Sequence, residues 1–373
     1  MDNNYTPTVE KESAKKARGA SIKSHVDSSV LTPAIIIAIA ICIILVLTSV
    51  LVIVSKANQP EIDDEYESPA IPDNQESGKD KNNYPFKQSI SNFYPDYADN
   101  AVTIDTSKIS SQNAALVDLS SNKIIASVKS GKGSPIFPAS LTKVMTLIVV
   151  YENLKSDNAL NEKITLSEAV VNKMVAEGSS GYGFKAGEVL TVNELLHAVI
   201  LYSDGIACIT LAEYISGSEP KFVELMNAKA QEMGLQNTYF QNCTGLHHQY
   251  HYSTAQDLAA IMSYAMKNTF CANVITAKSY KLGSHFRPDG NGPYTMYNQF
   301  LIGQLKVDSS YPVQPSTCTI LGGKTGYTDE SKYCLVTYAK TKDGKEYVLV
   351  TCDSPTVALR NQDHITIFNE YVK

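Results

Sequence analysis

The stretch Pro138-Ala139-Ser140-Leu141-Thr142-Lys143-Val144-Met145-Thr146, continued by Leu147-Ile148-Val149-Val150-Tyr151, decides how the rest of the chain is read. Its apolar run predicts a helix, and a serine and a lysine three residues apart share one face of it, a turn apart. A hydroxyl is a poor nucleophile at neutral pH and needs a neighbouring base to take its proton. A lysine is such a base only when its pKa falls, and burial lowers it by up to about 3–5 units. A helix N-terminus pushes the same way and offers unpaired N–H groups to a developing oxyanion. Ser140 is therefore the candidate nucleophile and Lys143 its base. By itself the pattern also describes a helix N-cap serine followed by a surface lysine, so other segments must decide.

Two of them do. Ser203-Asp204-Gly205 lies between the apolar helix Leu195 to Leu201 and a second one opening at Ile206. A serine in a break between helices can project its hydroxyl into a cleft and pass a proton onward. Lys324-Thr325-Gly326, followed by Tyr327, sits in a run that reads as a strand from Ile320. There it combines a cation, a hydroxyl and a backbone edge that a substrate can approach closely.

Around these motifs the folded part begins near Ala101. Ala114 to Leu119 and Lys123 to Val128 read as a hairpin about Ser120-Ser121-Asn122. A helix-rich middle runs from Leu141 to Lys267. Strands return near Ser279, at Ile320 to Gly326, and at Tyr333 to Tyr338 and Glu346 to Thr351, the last two joined at Asp343-Gly344. A closing helix is expected from Ile365 to Tyr371. Strands, then helices, then strands joined by tight hairpins define an α+β fold, a mostly antiparallel sheet with a helical cluster packed on it. Cys334 and Cys352 stand almost symmetrically about that last turn, which leaves open a disulfide across the two strands or two buried free thiols.

Before the fold, Ala34 to Val54 runs 21 residues without a charge. As a helix this spans about 30 Å, the hydrocarbon thickness of a bilayer. Lys11, Lys15, Lys16, Arg18 and Lys23 precede it, and Glu61, Asp63, Asp64, Glu65 and Glu67 follow. The charge asymmetry predicts a single-pass cell-membrane protein with a cytoplasmic N-terminus and everything beyond the span outside. A cleaved signal peptide is the rival reading, against which the length of the apolar run argues. The expected organisation is a cytoplasmic tail (1–30), a transmembrane helix (31–55), a flexible polar linker (56–100) and a catalytic domain (101–373).

Composition narrows the functional classes. A net charge of −6 over 373 residues, with no basic stripe, gives no support to nucleic-acid binding. Seven cysteines form no C-x-x-C pair. His247, His248 and His251 raise a zinc peptidase, but no H-E-x-x-H accompanies them, and neither a metal nor another cofactor is expected.

In this order the three motifs are the signature shared by penicillin-binding proteins and class A β-lactamases. Pro138-Ala139-Ser140, Lys185-Ala186-Gly187-Glu188, Leu190 to Leu196, Thr244-Gly245-Leu246 and His251 to Ala259 narrow it. Over about residues 110–373 the chain resembles the D-alanyl-D-alanine carboxypeptidases, low-molecular-mass penicillin-binding proteins of the S11 serine peptidases. The resemblance implies an enzyme that trims the terminal D-alanine from peptidoglycan stem peptides through an acyl-enzyme, and that β-lactams acylate. In that reading Ser140 attacks, Lys143 takes its proton, and Ser203 relays a proton toward the leaving amine. Lys324 supports the relay, Thr325 receives the terminal carboxylate with help from Arg360, and the N–H groups of Ser140 and Tyr327 form the oxyanion hole, with Gly326 on the strand between Thr325 and Tyr327.

Two positions depart from the family pattern. Gly205 stands where an asparagine is usual, and His248 where relatives often carry an acid. Gly205 keeps open a catalytically silent, membrane-tethered cell-wall-binding protein. A class A β-lactamase needs a general-base glutamate after the second motif, and between Glu232 and Asp257 there is no Asp or Glu.

Overall fold

Beta-rich segments from both ends of the folded region build one six-stranded sheet. The computed structural model describes residues 93–128, 133–283, 295–301 and 314–373. The strands are β1 (Asp96–Thr103), β2 (Asn113–Asp118), β3 (Lys123–Ser127), β8 (Cys318–Thr328), β9 (Lys332–Thr341) and β10 (Glu346–Ser354), in the order β1-β3-β2-β10-β9-β8. Every pairing is antiparallel except β1 with β3, which is parallel. Two short hairpins stand apart, β4 (Lys163–Thr165) with β5 (Val189–Thr191) and β6 (Ser279–Lys281) with β7 (Thr295–Tyr297).

The apolar runs of the central strands are near continuous because both faces of the sheet are buried. Ala115 and Val117 of β2, Cys334 and Val336 of β9, and Val348, Val350 and Cys352 of β10 pack into the larger core with the helices. The alternate residues Ala114, Leu116, Leu335, Ala339, Tyr347 and Leu349 pack on the other face with Ile367 and Phe368 of the closing helix. The helical cluster comprises α1 (Thr142–Glu152), α2 (Glu168–Ala176), α3 (Val192–Leu201), α4 (Gly205–Ser216), α5 (Glu219–Glu232), α6 (Ala255–Lys267) and α7 (Thr269–Thr276). Of α1, every residue from Thr142 to Tyr151 is buried, which explains the unbroken apolar run Leu147 to Tyr151.

Two boundaries differ from the sequence reading. The fold starts before Ala101: β1 begins at Asp96, Phe93 is buried, and the Tyr94 hydroxyl donates to Asp257 at 2.9 Å. This polar strand is held by its pairing with β3 and by a few aromatic anchors, so hydropathy does not reveal it. The closing helix, α8 (Val357–Tyr371), begins eight residues before Ile365, with the Thr356 side chain accepting from Leu359 N. Its first turns bury Arg360, Asp363 and His364 while Val357 and Leu359 are exposed, the reverse of an amphipathic pattern. Those polar groups are paired: Asp363 accepts from the backbone of Ser110 and Ser111, and the His364 ring bridges the hydroxyls of Thr337 and Thr351, each at 3.0 Å.

Cys334 and Cys352 are both free and buried. They meet where an extra residue bulges β10, between the Thr351↔Leu335 and Ser354↔Tyr333 pairs, with Asp353 at φ 60°. The expected tail (1–30) and membrane helix (31–55), and the linker up to residue 92, lie outside the described residues. Among the described residues no helix is long and apolar enough to cross a membrane. The described residues all belong to one unit, Asn82–Lys373.

Candidate active site

The sheet's edge strand β8, the start of α1 and the break between α3 and α4 converge on one point. Ser140 lies on a 3-10 turn, Ala139–Leu141, that runs directly into α1. Lys143, one turn on, is buried with its Nζ 3.1 Å from Ser140 Oγ and hydrogen-bonded to the carbonyl of Thr244. Burial lowers the pKa of Lys143, against partial opposition from Cys208, Cys243 and Asp204. A buried amine with a lowered pKa within hydrogen-bond reach of a serine is the arrangement a general base requires.

Ser203 occupies the left-handed region at φ 57°, a conformation that costs a non-glycine residue about 1–3 kcal/mol. The turn is fixed from the next residue. Asp204 is fully buried and caps α4, one carboxylate oxygen accepting from Ala207 N at 2.8 Å and the other from Tyr182 N at 2.7 Å. Desolvation raises the Asp204 pKa while those backbone bonds pull it back. Lys324 reaches from β8 to donate to Ser203 Oγ at 2.9 Å and to Thr325 O at 2.8 Å. Burial pushes Lys324 well below its ordinary pKa, with Lys143 and then Arg360 as the cations that add to the fall.

Ser140, Lys143, Ser203 and Lys324 are thus brought together as the sequence expects. Thr325 is half-buried and Tyr327 half-exposed on the same strand, the Tyr327 phenol donating to Asp329 at 2.8 Å. Gly326 lies against the nucleophile's turn: a Cβ built on it would stand 3.1 Å from Ala139 Cβ and 3.2 Å from Ser140 N. Glycine here leaves the Ser140 amide approachable. Arg360 is buried on α8, donating to Asn361 Oδ1 from Nε and Nη2, and desolvation lowers it to about 10.

In the sequence, Thr244-Gly245-Leu246 counts only toward the resemblance, and nothing there gives the turn Asn242 to Leu246 a role in the site. Asn242 Oδ1 accepts from Thr244 N, Thr244 Oγ1 and Gly245 N, while its Nδ2 donates to Leu246 O. This Asx-type turn aims the Thr244 carbonyl at Lys143. Thr146 Oγ1 donates to Cys243 O at 2.7 Å, and Thr142 Oγ1 meets His251 Nε2 at 2.8 Å, so one face of α1 is tied to the turn and to His251 beyond it. His251 Nδ1 accepts from Gln241 N, which makes this histidine a packing element. His247 instead stands 3.7 Å from Glu330, and His248 lies against Tyr250. An open cleft of about 670 Å³ shares Thr244 and Tyr327 with the site and is also lined by Leu246, Glu177 and His248.

A helix-borne serine and lysine, a second serine between two helices and a strand lysine meet on an α+β sheet, a Ser–Lys arrangement suited to nucleophilic chemistry. Residues 100–356 match the D-alanyl-D-alanine carboxypeptidase family, peptidase S11, and the chain belongs to it. It is 32% identical over 251 residues to D-alanyl-D-alanine carboxypeptidase DacF of Bacillus subtilis, covering 67% of this chain and 59% of that protein. Against DacA of Haemophilus influenzae the identity is 30% over 253 residues, 67% of this chain and 58% of the relative. The chain therefore spans about three fifths of the length of these two curated relatives. Its fold superposes on the crystal structure of the Streptomyces K15 DD-transpeptidase with a TM-score of 0.61 at 29% identity, covering 70% of this chain and 96% of that one. For a D-alanyl-D-alanine carboxypeptidase from Mycobacterium tuberculosis the values are 0.59, 25%, 74% and 94%.

Proposed function

We propose that this protein is a membrane-anchored serine D-Ala-D-Ala carboxypeptidase that trims the terminal D-alanine from peptidoglycan stem peptides. The observation that carries the reading is the buried Lys143 amine 3.1 Å from Ser140 Oγ, with Lys324 on Ser203 Oγ beside it. Ser140 Oγ attacks the carbonyl of the penultimate D-alanine while its proton passes to Lys143. The tetrahedral oxyanion is held by the N–H groups of Ser140 and Tyr327, and loss of one such donor typically costs about 10²–10³ in rate. Ser203, held by Lys324, passes a proton to the leaving amine nitrogen, the C–N bond breaks and D-alanine departs. Water then cleaves the acyl ester and restores the Ser140 hydroxyl.

Thr325 receives the terminal carboxylate, with help from Arg360. β-Lactams present the same carboxylate and a strained amide, and acylate Ser140. Deacylation of penicillin is slow, because the turn from Met233 to Gln256 offers no carboxylate for a general base. The apolar span Ala34 to Val54 anchors the chain in the cell membrane with the catalytic unit outside. The test is release of D-alanine from a peptide ending in D-Ala–D-Ala by the wild type and by Ser140→Ala. Release by the wild type alone supports the reading; none from either points to the silent cell-wall-binding homologue that Gly205 keeps open.

A further inference from the structure

Gly205 stands at the position where the family's second motif usually carries an amide side chain, yet the space beside it is filled. A Cβ built on Gly205 would lie 2.0 Å from Ser179 Oγ, 2.9 Å from Ser179 Cβ and 2.9 Å from Met174 Sδ. No non-bonded contact survives at those distances. The backbone of Gly205 is not in the left-handed region, so conformation does not call for glycine there. Space does.

The approach is reciprocal. A Cβ on Gly181 would meet Asp204 Oδ2 at 2.7 Å, the same oxygen that accepts from Tyr182 N. Between the two glycines, Gly205 N donates to Ser180 O at 3.0 Å. Residues 179–182 are thus seated on the Ser203-Asp204-Gly205 turn by two hydrogen bonds and two contacts that only glycine permits. Both oxygens of Asp204 are engaged in this seating and in capping α4, so Asp204 does not stand in for the missing amide.

We propose that Ser179 is a positioning residue for the acyl-transfer reaction. Its side chain fills the volume vacated at Gly205, locks residues 179–182 against the α3–α4 turn, and so holds Ser203 in its left-handed conformation with Oγ on Lys324. The proposal rests on the reading of Ser203 as the proton relay. It accounts for a glycine in a catalytic motif as one half of an interlock, with Ser179 as the other half.

The experiment uses the full chain in detergent micelles: wild type, Gly205→Ala, Ser179→Gly and the double variant, each also in a Ser203→Ala background. The readouts are kcat and KM on a D-Ala–D-Ala peptide, the rate of penicillin acylation, and the thermal midpoint. Displacing Ser203 by a fraction of an ångström should lower kcat of Gly205→Ala by about 10²-fold with little change in KM. Ser179→Gly should lose about 10-fold in kcat, and adding Gly205→Ala to it should cost almost nothing more, the non-additivity of residues that share one space. In the Ser203→Ala background none of these changes should lower kcat further, an outcome a purely structural role does not produce. Should Gly205→Ala fail to fold, Ser179→Gly with and without Ser203 still decides. Additive losses, a Gly205→Ala protein as active as wild type, or losses that persist without Ser203 overturn the role of Ser179. A wild type that neither turns over nor is acylated is a different result, which defeats the enzymatic reading and the role of Ser179 with it.

Discussion

The α-carbon of Gly245 rests on the Ala139–Ser140 peptide: a Cβ there would lie 1.9 Å from the Ala139 carbonyl oxygen and 2.9 Å from Ser140 N. Gly245 is at φ 78° and Ala139 at φ 47°, so two left-handed residues press together where the chain turns into α1. Gly245→Ala should therefore destabilise the fold by about 1–3 kcal/mol, as overpacking does, and slow penicillin acylation by about 10²-fold through displacement of Ser140. Gly234, at φ 74° with nothing within 4 Å of its Cβ position, is the control. Gly234→Ala should show the conformational strain alone, with the acylation rate retained.

The acid side of the acylation profile reports Lys143. Burial is the chief cause of its lowered pKa, and Cys208, Cys243, Asp204 and Lys324 are the ionisable groups around it. The base is competent above its folded pKa and lost as pH falls through it. The rate should thus rise with pH and level off below 10.5, the ordinary lysine value. Lys143→Arg stays protonated throughout and should lose about 10²–10⁴-fold at every pH, while its thermal midpoint shows that it folds.

A second pH effect falls on stability. Burial above all, then the neighbouring His248, His247 and Lys143, lower the pKa of His251 from 6.5 to about 3. Between those values the unfolded chain binds a proton that the folded one does not, so stability rises with pH across this window and falls away as pH drops toward about 3. His197 and His364 are shifted in the same direction. His251→Gln, which keeps a donor for Thr142, should give a shallower acid slope of the thermal midpoint; an unchanged slope would contradict this assignment.

Thr325 is tested by separating binding from chemistry. Thr325→Val should raise KM for a D-Ala–D-Ala peptide by about 10- to 100-fold, the worth of a hydrogen bond to a charged group, with a smaller effect on kcat. With the terminal carboxylate converted to an amide, the wild type and the variant should converge. Equal penalties on both substrates would remove Thr325 from carboxylate recognition.

What the sequence discloses follows from where the information is stored. The central strands are legible because runs such as Val348-Leu349-Val350 are buried on both faces, and the reacting side chains because hydroxyls and amines at fixed spacings carry chemistry in themselves. The Asn242 turn, the Ser179–Gly205 interlock and the first half of α8 store theirs in backbone carbonyls, in absent side chains and in buried polar pairs such as His364 with Thr337 and Thr351. Hydropathy and spacing do not register any of these. The start of β1 at Asp96 is of the same kind, a polar strand fixed by a partner 27 residues later, at Lys123.

The most direct test of the Ser–Lys reading is mass spectrometry of the full chain after exposure to a fluorescent penicillin, with Ser140→Ala alongside. The account predicts one penicilloyl group per chain on the wild type, on the peptide containing Ser140, persisting after free drug is removed, and no label on the variant. A wild type left unmodified, or a variant labelled equally well, would contradict it.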